Sequence, residues 1–140
     1  MSGYLLDTNC VSELVRLRPE PRVIAWIAAA DESSLYLSVL TLGEIRKGLA
    51  EMPQSKRRAQ LDAWAENLRL RFSGRALSID ADIAERWGFL AAAAKHAGKG
   101  VSVVDGLLAA TALHHGLTVV SRNSRDFTAL HVPTLNPWQP

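Results

Sequence analysis

The chain has 140 residues, of which 48% are hydrophobic and 21% charged, and its formal net charge is +2. These values are typical of one globular domain and exclude disordered, collagen-like and low-complexity chains. A single cysteine, Cys10, excludes an internal disulfide and a zinc site built on thiolates. The longest apolar run, over 23–30, is too short to cross a membrane, and no signal peptide is recognisable. We therefore expect one cytoplasmic domain, residues 1–140, without membrane contact.

The charge is unevenly distributed along the chain. Residues 46–75 contain eight Lys and Arg against three acidic residues, a local net charge of +5, so the remainder carries −3. A basic segment of this kind binds phosphate groups in some proteins and is simply a solvated helix face in others. Charge alone does not decide between the two.

Hydrophobic periodicity and turn residues predict strands that alternate with helices. In chain order they are a strand over 4–6, a short helix over 11–17, a helix from Pro21, a strand over 34–38, a helix over 39–52, a helix from Ser55 to about residue 72, a strand over 76–79, a helix capped by Asp80, a helix from Ser102 to Gly116 and a strand over 117–121. Strands separated by helices require parallel crossovers with helices on both faces of the sheet. The predicted fold class is therefore α/β, in a three-layer α/β/α arrangement with a short central parallel sheet.

Acidic side chains lie where three of these strands end or begin. Asp7 follows the first strand, Glu44 lies in the helix after the second, and Asp105 opens the helix that leads to the last strand. Asn123 and Asp126 come just after that strand. Ligands of open parallel sheets bind at the carboxyl ends of the strands, so we expect these side chains to meet there. Clustered carboxylates repel one another, and a hard divalent cation such as Mg²⁺ or Mn²⁺ relieves that repulsion.

Each acidic residue also has a purely structural interpretation. These alternatives are an Asx turn or, with Asn9, a helix cap at Asp7, capping boxes at Ser102–Asp105 and Thr41–Glu44, a surface pair of Glu44 with Lys47, and a turn held by Asp126. Taken one at a time, each is as plausible as a role in chemistry. The set favours chemistry, because three carboxylates from distant parts of the chain reach one edge of the sheet.

Four blocks of this sequence, in order, resemble the PIN-domain ribonucleases of the VapC toxin type, and in particular the branch that includes FitB. The blocks are Tyr4-Leu-Leu-Asp-Thr-Asn9, Ser38-Val-Leu-Thr-Leu-Gly-Glu-Ile-Arg-Lys-Gly48, Ser102-Val-Val-Asp-Gly-Leu-Leu-Ala-Ala-Thr-Ala112 and Thr118-Val-Val-Ser-Arg-Asn-Ser-Arg-Asp-Phe127. The segment from Pro133 to Trp138 is also typical of the type. One block alone is weak evidence, but four in this order span nearly the whole chain.

The resemblance implies an endoribonuclease toxin that uses Mg²⁺, with Mn²⁺ plausible, and leaves a 5′-phosphate and a 3′-hydroxyl. It implies that Asp7 and Asp105 are the main metal ligands and that Glu44 completes the catalytic site with Asp126 or Asn123. Many relatives have an acidic residue at the position of Asn123, and the choice between Asn123 and Asp126 stays open. The residues that the resemblance places around these carboxylates to hold them are Thr8, Asn9, Ser38 and Thr111.

The resemblance also implies partners. The RNA substrate is expected to meet the basic side chains nearest the acidic blocks, which are Arg46, Lys47, Arg122 and Arg125. A cognate antitoxin of the VapB or FitA type is expected to neutralise the toxin and to bind DNA on its behalf. Relatives form homodimers and larger assemblies with the antitoxin, and the amphipathic segments 21–30 and 39–72 offer surfaces for such contacts.

Two alternatives to a nuclease remain at the level of sequence. One is a non-catalytic PIN-like module that binds RNA or a protein partner. The other, less favoured, is a phosphotransfer protein with Asp7 as the phosphate acceptor, which conflicts with Asn9 where one such family needs a second Asp. We expect Trp26, Trp64 and Trp87 to pack in the core, and Cys10 to be a buried apolar residue.

Overall fold

The structure, a computed structural model, describes residues 3–140. It contains β1 (Gly3–Leu6), α1 (Thr8–Ser12), α2 (Pro21–Ala29), β2 (Leu35–Ser38), α3 (Val39–Ala50), α4 (Lys56–Arg71), β3 (Ala76–Leu77), α5 (Ala81–His96), α6 (Val103–His115), β4 (Leu117–Val120), α7 (Ser124–Thr128) and β5 (Thr134–Leu135). Short 3₁₀ turns at Glu13–Val15 and Glu32–Ser34 follow α1 and precede β2. No helix of the described residues is both long and apolar enough to span a membrane.

The five strands form one parallel sheet in the order β3-β2-β1-β4-β5. In the centre, β1 pairs on one side with β2, with Leu5 opposite Tyr36, and on the other side with β4, with Leu6 opposite Val120. The sheet therefore grows from β1 to β2 and β3 on one side, and then from β1 to β4 and β5 on the other side. At such a switch point the neighbouring connections separate and leave a crevice at the carboxyl ends of the two strands.

Helices cover both faces of the sheet, as the sequence predicts. On one face α1, α2, α3 and α4 enclose a core that includes Leu6, Leu37 and Phe72. On the other face α5, α6 and α7 pack over Leu5 and Val119. Alternate residues of each strand thus enter opposite cores, which is the pattern of a sheet buried on both sides. The predicted α/β class and the three layers are confirmed.

The predicted elements differ from the structure in two respects. The sequence predicts the first helix over 11–17, but α1 begins at Thr8, because the Asp7 side chain accepts a hydrogen bond from the Thr8 N–H and caps the helix. The five-residue helix α7 and the two-residue strand β5 were not predicted at all. Elements this short carry too few positions to show a hydrophobic period.

The contact between α5 and α6 fixes the start of α6 tightly. A Cβ atom at Gly106 would lie 2.8 Å from Cδ1 and 2.9 Å from Nε1 of Trp87, so only glycine fits without a shift of the indole. Trp87 is half-buried there, and Trp26 packs edge-on against Tyr4 with 5.0 Å between ring centroids. Both indoles therefore pack against neighbouring side chains, as expected, although part of Trp26 stays exposed. Trp87 sets the position of the turn that carries Asp105.

Candidate active site

Asp7 lies in the crevice where β1 ends, beside the end of β4. Its side chain is buried, and its backbone N–H continues the sheet by donating to Val120 O at 2.9 Å. Three groups hold the carboxylate: Oδ1 accepts from the Thr8 N–H at 2.7 Å, and Oδ2 accepts from the Ser121 hydroxyl at 2.7 Å and from Asn9 Nδ2 at 3.4 Å. All of these donors are neutral. They orient the carboxylate but leave its charge uncompensated.

Asp105 faces the cleft from the first turn of α6. Ser102 caps that helix by accepting the Asp105 N–H at 3.1 Å, which fixes the backbone at Asp105. Burial is the main reason that the pKa of Asp105 is raised, and the nearby carboxylates of Asp126 and Glu44 raise it further. These interactions place Asp126 and Glu44 on the same side of the sheet as Asp105.

The pKa of Asp7 is raised as well. Burial is again the largest cause, the hydrogen bonds from Ser121 and Thr8 oppose it, and the charges of Asp105 and Glu44 add to it. Four carboxylates from β1, α3, α6 and α7 thus interact electrostatically across one cleft. The repulsion expected from the sequence is therefore present in the folded chain.

Glu44 projects into this cluster from α3 and is exposed. The Thr8 hydroxyl donates to Glu44 Oε1 at 2.6 Å and lies 3.2 Å from Thr41 Oγ1, so Thr8 links the end of β1 to α3. The structural alternatives for Glu44 are wrong. Ser38, not Thr41, caps α3, and Lys47 pairs with Glu51 at 3.2 Å instead of with Glu44.

The segment after β4 brings two candidate residues close to the site. Asn123 lines the cleft and occupies the N-cap position of α7, although its side chain makes no cap hydrogen bond. Asp126 is exposed on α7, near enough to Asp105 to raise its pKa. Both residues lie at the site, so the geometry does not choose between them.

Ser121 is a site residue that the sequence reasoning missed. It is fully buried, it donates to Asp7, and it accepts from Asn9 Nδ2 at 3.3 Å and from the Asn123 N–H at 3.0 Å. One hydroxyl therefore ties together the two central strand ends. The available signal was a serine at the end of the last predicted strand, where a switch-point crevice needs a small polar side chain.

The remaining predicted residues are distributed more widely. Ser38 caps α3 through the Leu40 N–H, and the Thr111 hydroxyl donates to Leu107 O of its own helix at 2.7 Å. Arg46 is paired with Asp62 at 2.9 Å and Glu66 at 3.3 Å on the exposed side of α3.

The two arginines after β4 are placed differently from the α3 pair. The Arg122 guanidinium lies 5.9 Å from the Trp138 ring centroid, and its backbone N–H donates to Asn9 Oδ1 at 3.4 Å. Arg125 is exposed on α7. Arg46 and Lys47 thus form ion pairs with neighbouring helical acids, whereas Arg122 and Arg125, next in sequence to Asn123 and Asp126, form none within residues 3–140.

The cleft has a volume of about 400 Å³ and offers oxygen donors only, from Asp7, Glu44, Asp105, Asn123 and hydroxyl groups. Within residues 3–140, no three His, Cys, Asp or Glu side chains are arranged to hold a metal ion together. Mg²⁺ is commonly held by one or two carboxylates with water in its other positions, so Asp7 and Asp105 fit such an ion. Cys10 takes no part, because burial raises the pKa of its thiol to about 12.

Comparisons with known proteins agree with this geometry. Residues 4–131 match the PIN domain family. The chain is 42% identical over 137 residues to VapC ribonuclease Y4jK of Sinorhizobium fredii, covering 97% of this chain and 98% of that protein. It is 38% identical over 135 residues to toxin FitB of Neisseria gonorrhoeae, covering 96% and 97%. The structure of FitAB bound to the IR36 DNA fragment superposes with a TM-score of 0.93 and 37% identity over 98% of this chain and 96% of that one.

The sequence blocks, the parallel sheet and the relatives lead to one assignment. The resemblance drawn from the four blocks is confirmed. The strand order 3-2-1-4-5 also differs from the 2-1-3-4-5 order of receiver-type phosphotransfer proteins, in which an aspartate accepts the phosphate. The chain belongs to the PIN-domain family, in the branch of VapC ribonucleases and FitB-type toxins.

Proposed function

We propose that this protein is a Mg²⁺-dependent endoribonuclease toxin that hydrolyses RNA phosphodiester bonds and is neutralised by a cognate antitoxin. One observation carries the proposal. None of the seven ion pairs formed within residues 3–140 includes Asp7, Glu44, Asp105 or Asp126. A cluster of carboxylates that the fold gathers but does not neutralise needs a cation from outside, and a polyanionic substrate cannot approach until that cation is bound.

The residues of the chain divide the work in this proposal. Asp7 and Asp105 hold the ion, and Ser121, Asn9 and the Thr8 N–H keep the Asp7 carboxylate in one orientation. When bound, a divalent cation supplies Lewis-acid stabilisation of the phosphate and makes a water a stronger nucleophile at neutral pH. Glu44, held by the Thr8 hydroxyl, accepts hydrogen bonds from water at the rim of the cleft, as does Asp126 or Asn123.

The substrate class follows from the charges around the cleft. Arg122 and Arg125, on the segment after β4, are proposed to meet the RNA phosphates. Arg46 and Lys47, which the sequence also suggested for this role, first have to leave their ion pairs. We therefore give them a smaller part in RNA binding.

Partners and location form part of the proposal. The same unpaired carboxylates suit a basic side chain of a VapB- or FitA-type antitoxin. The solved FitAB structure supports an antitoxin as the partner. DNA contact then belongs to the antitoxin.

A homodimer in the cytoplasm remains a prediction. The segments 21–30 and 39–72, which the sequence suggested as contact surfaces, expose two large apolar residues, Val39 at 38% and Leu70 at 72%. Phe89 on α5 lies outside those segments and is 78% exposed.

The proposal is tested by cleavage of a mixed cellular RNA preparation. Asp105→Asn should reduce the cleavage rate by about 10²- to 10³-fold, because the ion loses a charged ligand. EDTA should abolish cleavage, and added Mg²⁺ should restore it. The matched control is Glu85→Gln, which removes an exposed carboxylate of α5 remote from the cleft and should cleave at the wild-type rate.

Two outcomes contradict the proposal. Cleavage that survives both EDTA and Asp105→Asn would exclude the metal-carboxylate site. A wild-type protein that binds RNA but cleaves none with Mg²⁺ or Mn²⁺ would favour the non-catalytic binding module.

A further inference from the structure

A shallow groove of about 680 Å³ runs between α2 and the C-terminal segment that begins with β5. Neither the acidic blocks nor the predicted RNA contacts include it. Six residues that line it come from these two elements and form a mixed apolar and basic surface: Arg22, Ala25, Trp26, Leu135, Asn136 and Pro137. The groove thus combines an indole, a proline ring and a guanidinium, which is the chemistry that binds an unpaired nucleotide.

The groove is connected to the carboxylate cleft by two short links. Asn136, which lines the groove, donates through Nδ2 to Arg122 O at 3.4 Å, and the next residue, Asn123, lines the cleft. The Ser121 N–H donates to Leu135 O at 3.0 Å, while its hydroxyl donates to Asp7. Residues that line the groove are therefore hydrogen-bonded to residues beside the cleft, and Arg122 is one of the latter.

The charges along this connection favour a phosphate chain. Arg22 Nη1 donates to Trp138 O at 3.2 Å, and the Arg122 guanidinium lies against the Trp138 ring. Within residues 3–140, neither arginine takes part in an ion pair with an acid. Both guanidinium groups thus keep donors for phosphate oxygens, in contrast to Arg46 on α3.

We propose that this groove binds one unpaired nucleotide of the RNA next to the phosphodiester that is cleaved, with its base against Trp26 and Pro137 and its phosphate between Arg22 and Arg122. This inference rests on the proposed function and adds a substrate subsite to it. A neutral or basic peptide would use the apolar walls but would leave the guanidinium groups of Arg22 and Arg122 without a negative partner. We therefore commit to RNA as the occupant.

The test uses a pair of exposed alanines on α2. Ala25 lines the groove, whereas Ala28 lies on the same helix outside it. Ala25→Glu places bulk and negative charge where the nucleotide binds, and it should raise KM for a single-stranded RNA about tenfold while kcat stays within about twofold. Ala28→Glu adds the same charge and should leave both constants unchanged. Arg22→Ala should also raise KM. Its charge-matched control is Arg18→Ala, because Arg18 is exposed in the segment between α1 and α2 and does not line the groove.

A binding measurement keeps the subsite separable from catalysis. Fluorescence anisotropy of a labelled mixed-sequence RNA oligonucleotide in EDTA should show weaker binding by Ala25→Glu than by Ala28→Glu, whether or not the wild type cleaves RNA. If the wild type cleaves no RNA but Ala25→Glu still binds RNA more weakly than Ala28→Glu, the proposed nuclease activity is overturned and the RNA subsite is retained. Equal binding and equal KM of the two variants would overturn the subsite and retain the nuclease. Loss of antitoxin binding alone in Ala25→Glu would make the groove a protein-docking surface and overturn it too.

Discussion

Glu32, at the edge formed by α4 and β3, accepts hydrogen bonds from two guanidinium groups, whereas Asp7 in the cleft has only neutral donors and other carboxylates around it. Arg71 is bidentate to Glu32 at 2.9 and 2.7 Å, and Arg75 donates at 2.7 Å. Arg71 is the main reason that the pKa of Glu32 falls to about 2, while burial raises the pKa of Asp7. The same side-chain chemistry is therefore stabilised in one region and left in need of a cation in the other.

Glu13 shows that burial alone does not explain the difference. It is as buried as Asp7, and burial would raise its pKa, but the Glu20 N–H and Arg16, each at 2.8 Å, outweigh burial and lower it. What sets the cleft apart is the absence of charged donors to its acids among the described residues. Unfavourable electrostatics held in place by neutral hydrogen bonds are typical of functional sites, where stability is given up for activity.

The largest effect should come from Asp7→Asn, which separates activity from stability. The amide keeps an oxygen for the Thr8 N–H but loses the acceptor that Oδ2 offers to Ser121 and Asn9. Removal of an uncompensated buried charge should offset that loss, so the melting temperature in EDTA should stay the same or rise. RNA cleavage should fall by about 10³-fold because the ion loses its buried ligand. Differential scanning fluorimetry and a cleavage assay on the same preparation measure both.

A drop in melting temperature for Asp7→Asn would break the comparison, since Asp7 would then stabilise the fold as Glu13 does. A neutral control exists in Glu85→Gln, which removes a solvated carboxylate and should change neither quantity.

The next largest effect should come from Glu13→Ala. It leaves the Glu20 N–H without its acceptor in a site where the side chain is only 2% exposed, and the free energy of unfolding should fall by about 2–3 kcal/mol. Glu13→Gln keeps an oxygen for that N–H and should lose less than half as much. Urea denaturation of the two variants gives both values, and a larger loss for Gln than for Ala would contradict this account.

The placement of Asp7 and Asp105 at the carboxyl ends of the strands could be predicted from the sequence, because strand ends and helix caps are local features. Asp7 follows an apolar run, and Asp105 stands three residues after the helix cap Ser102, so their places at the rim follow from adjacent residues. The switch-point crevice adds the reason that they meet. Ser121 was missed, since its role depends on strand pairing between β1 and β4 that single-sequence patterns do not contain.

The basic residues were harder to place because ion pairs are decided by tertiary packing. Arg46 precedes Lys47 in sequence next to Glu44, yet α4 packs against α3 and supplies Asp62 and Glu66 as its partners. The +5 charge of residues 46–75 is therefore partly spent within the helical pair. Sequence proximity to an acidic block does not make a residue part of its site.

The smallest effect should be the pH dependence that Glu32 gives to stability. The pKa of Glu32 falls from an ordinary 4.5 to about 2 in the fold, so its contribution is fully present above the higher value and is lost as the pH drops toward the lower one. Its side chain is 48% exposed, so solvent screening keeps the contribution below about 1 kcal/mol. Urea midpoints of the wild type and Glu32→Gln should therefore converge across that pH window and differ above it. A difference that persists at the acid end would mean that Glu32 stabilises the edge of the sheet by packing and not by its charge, and the contrast with Asp7 would then be one of shape.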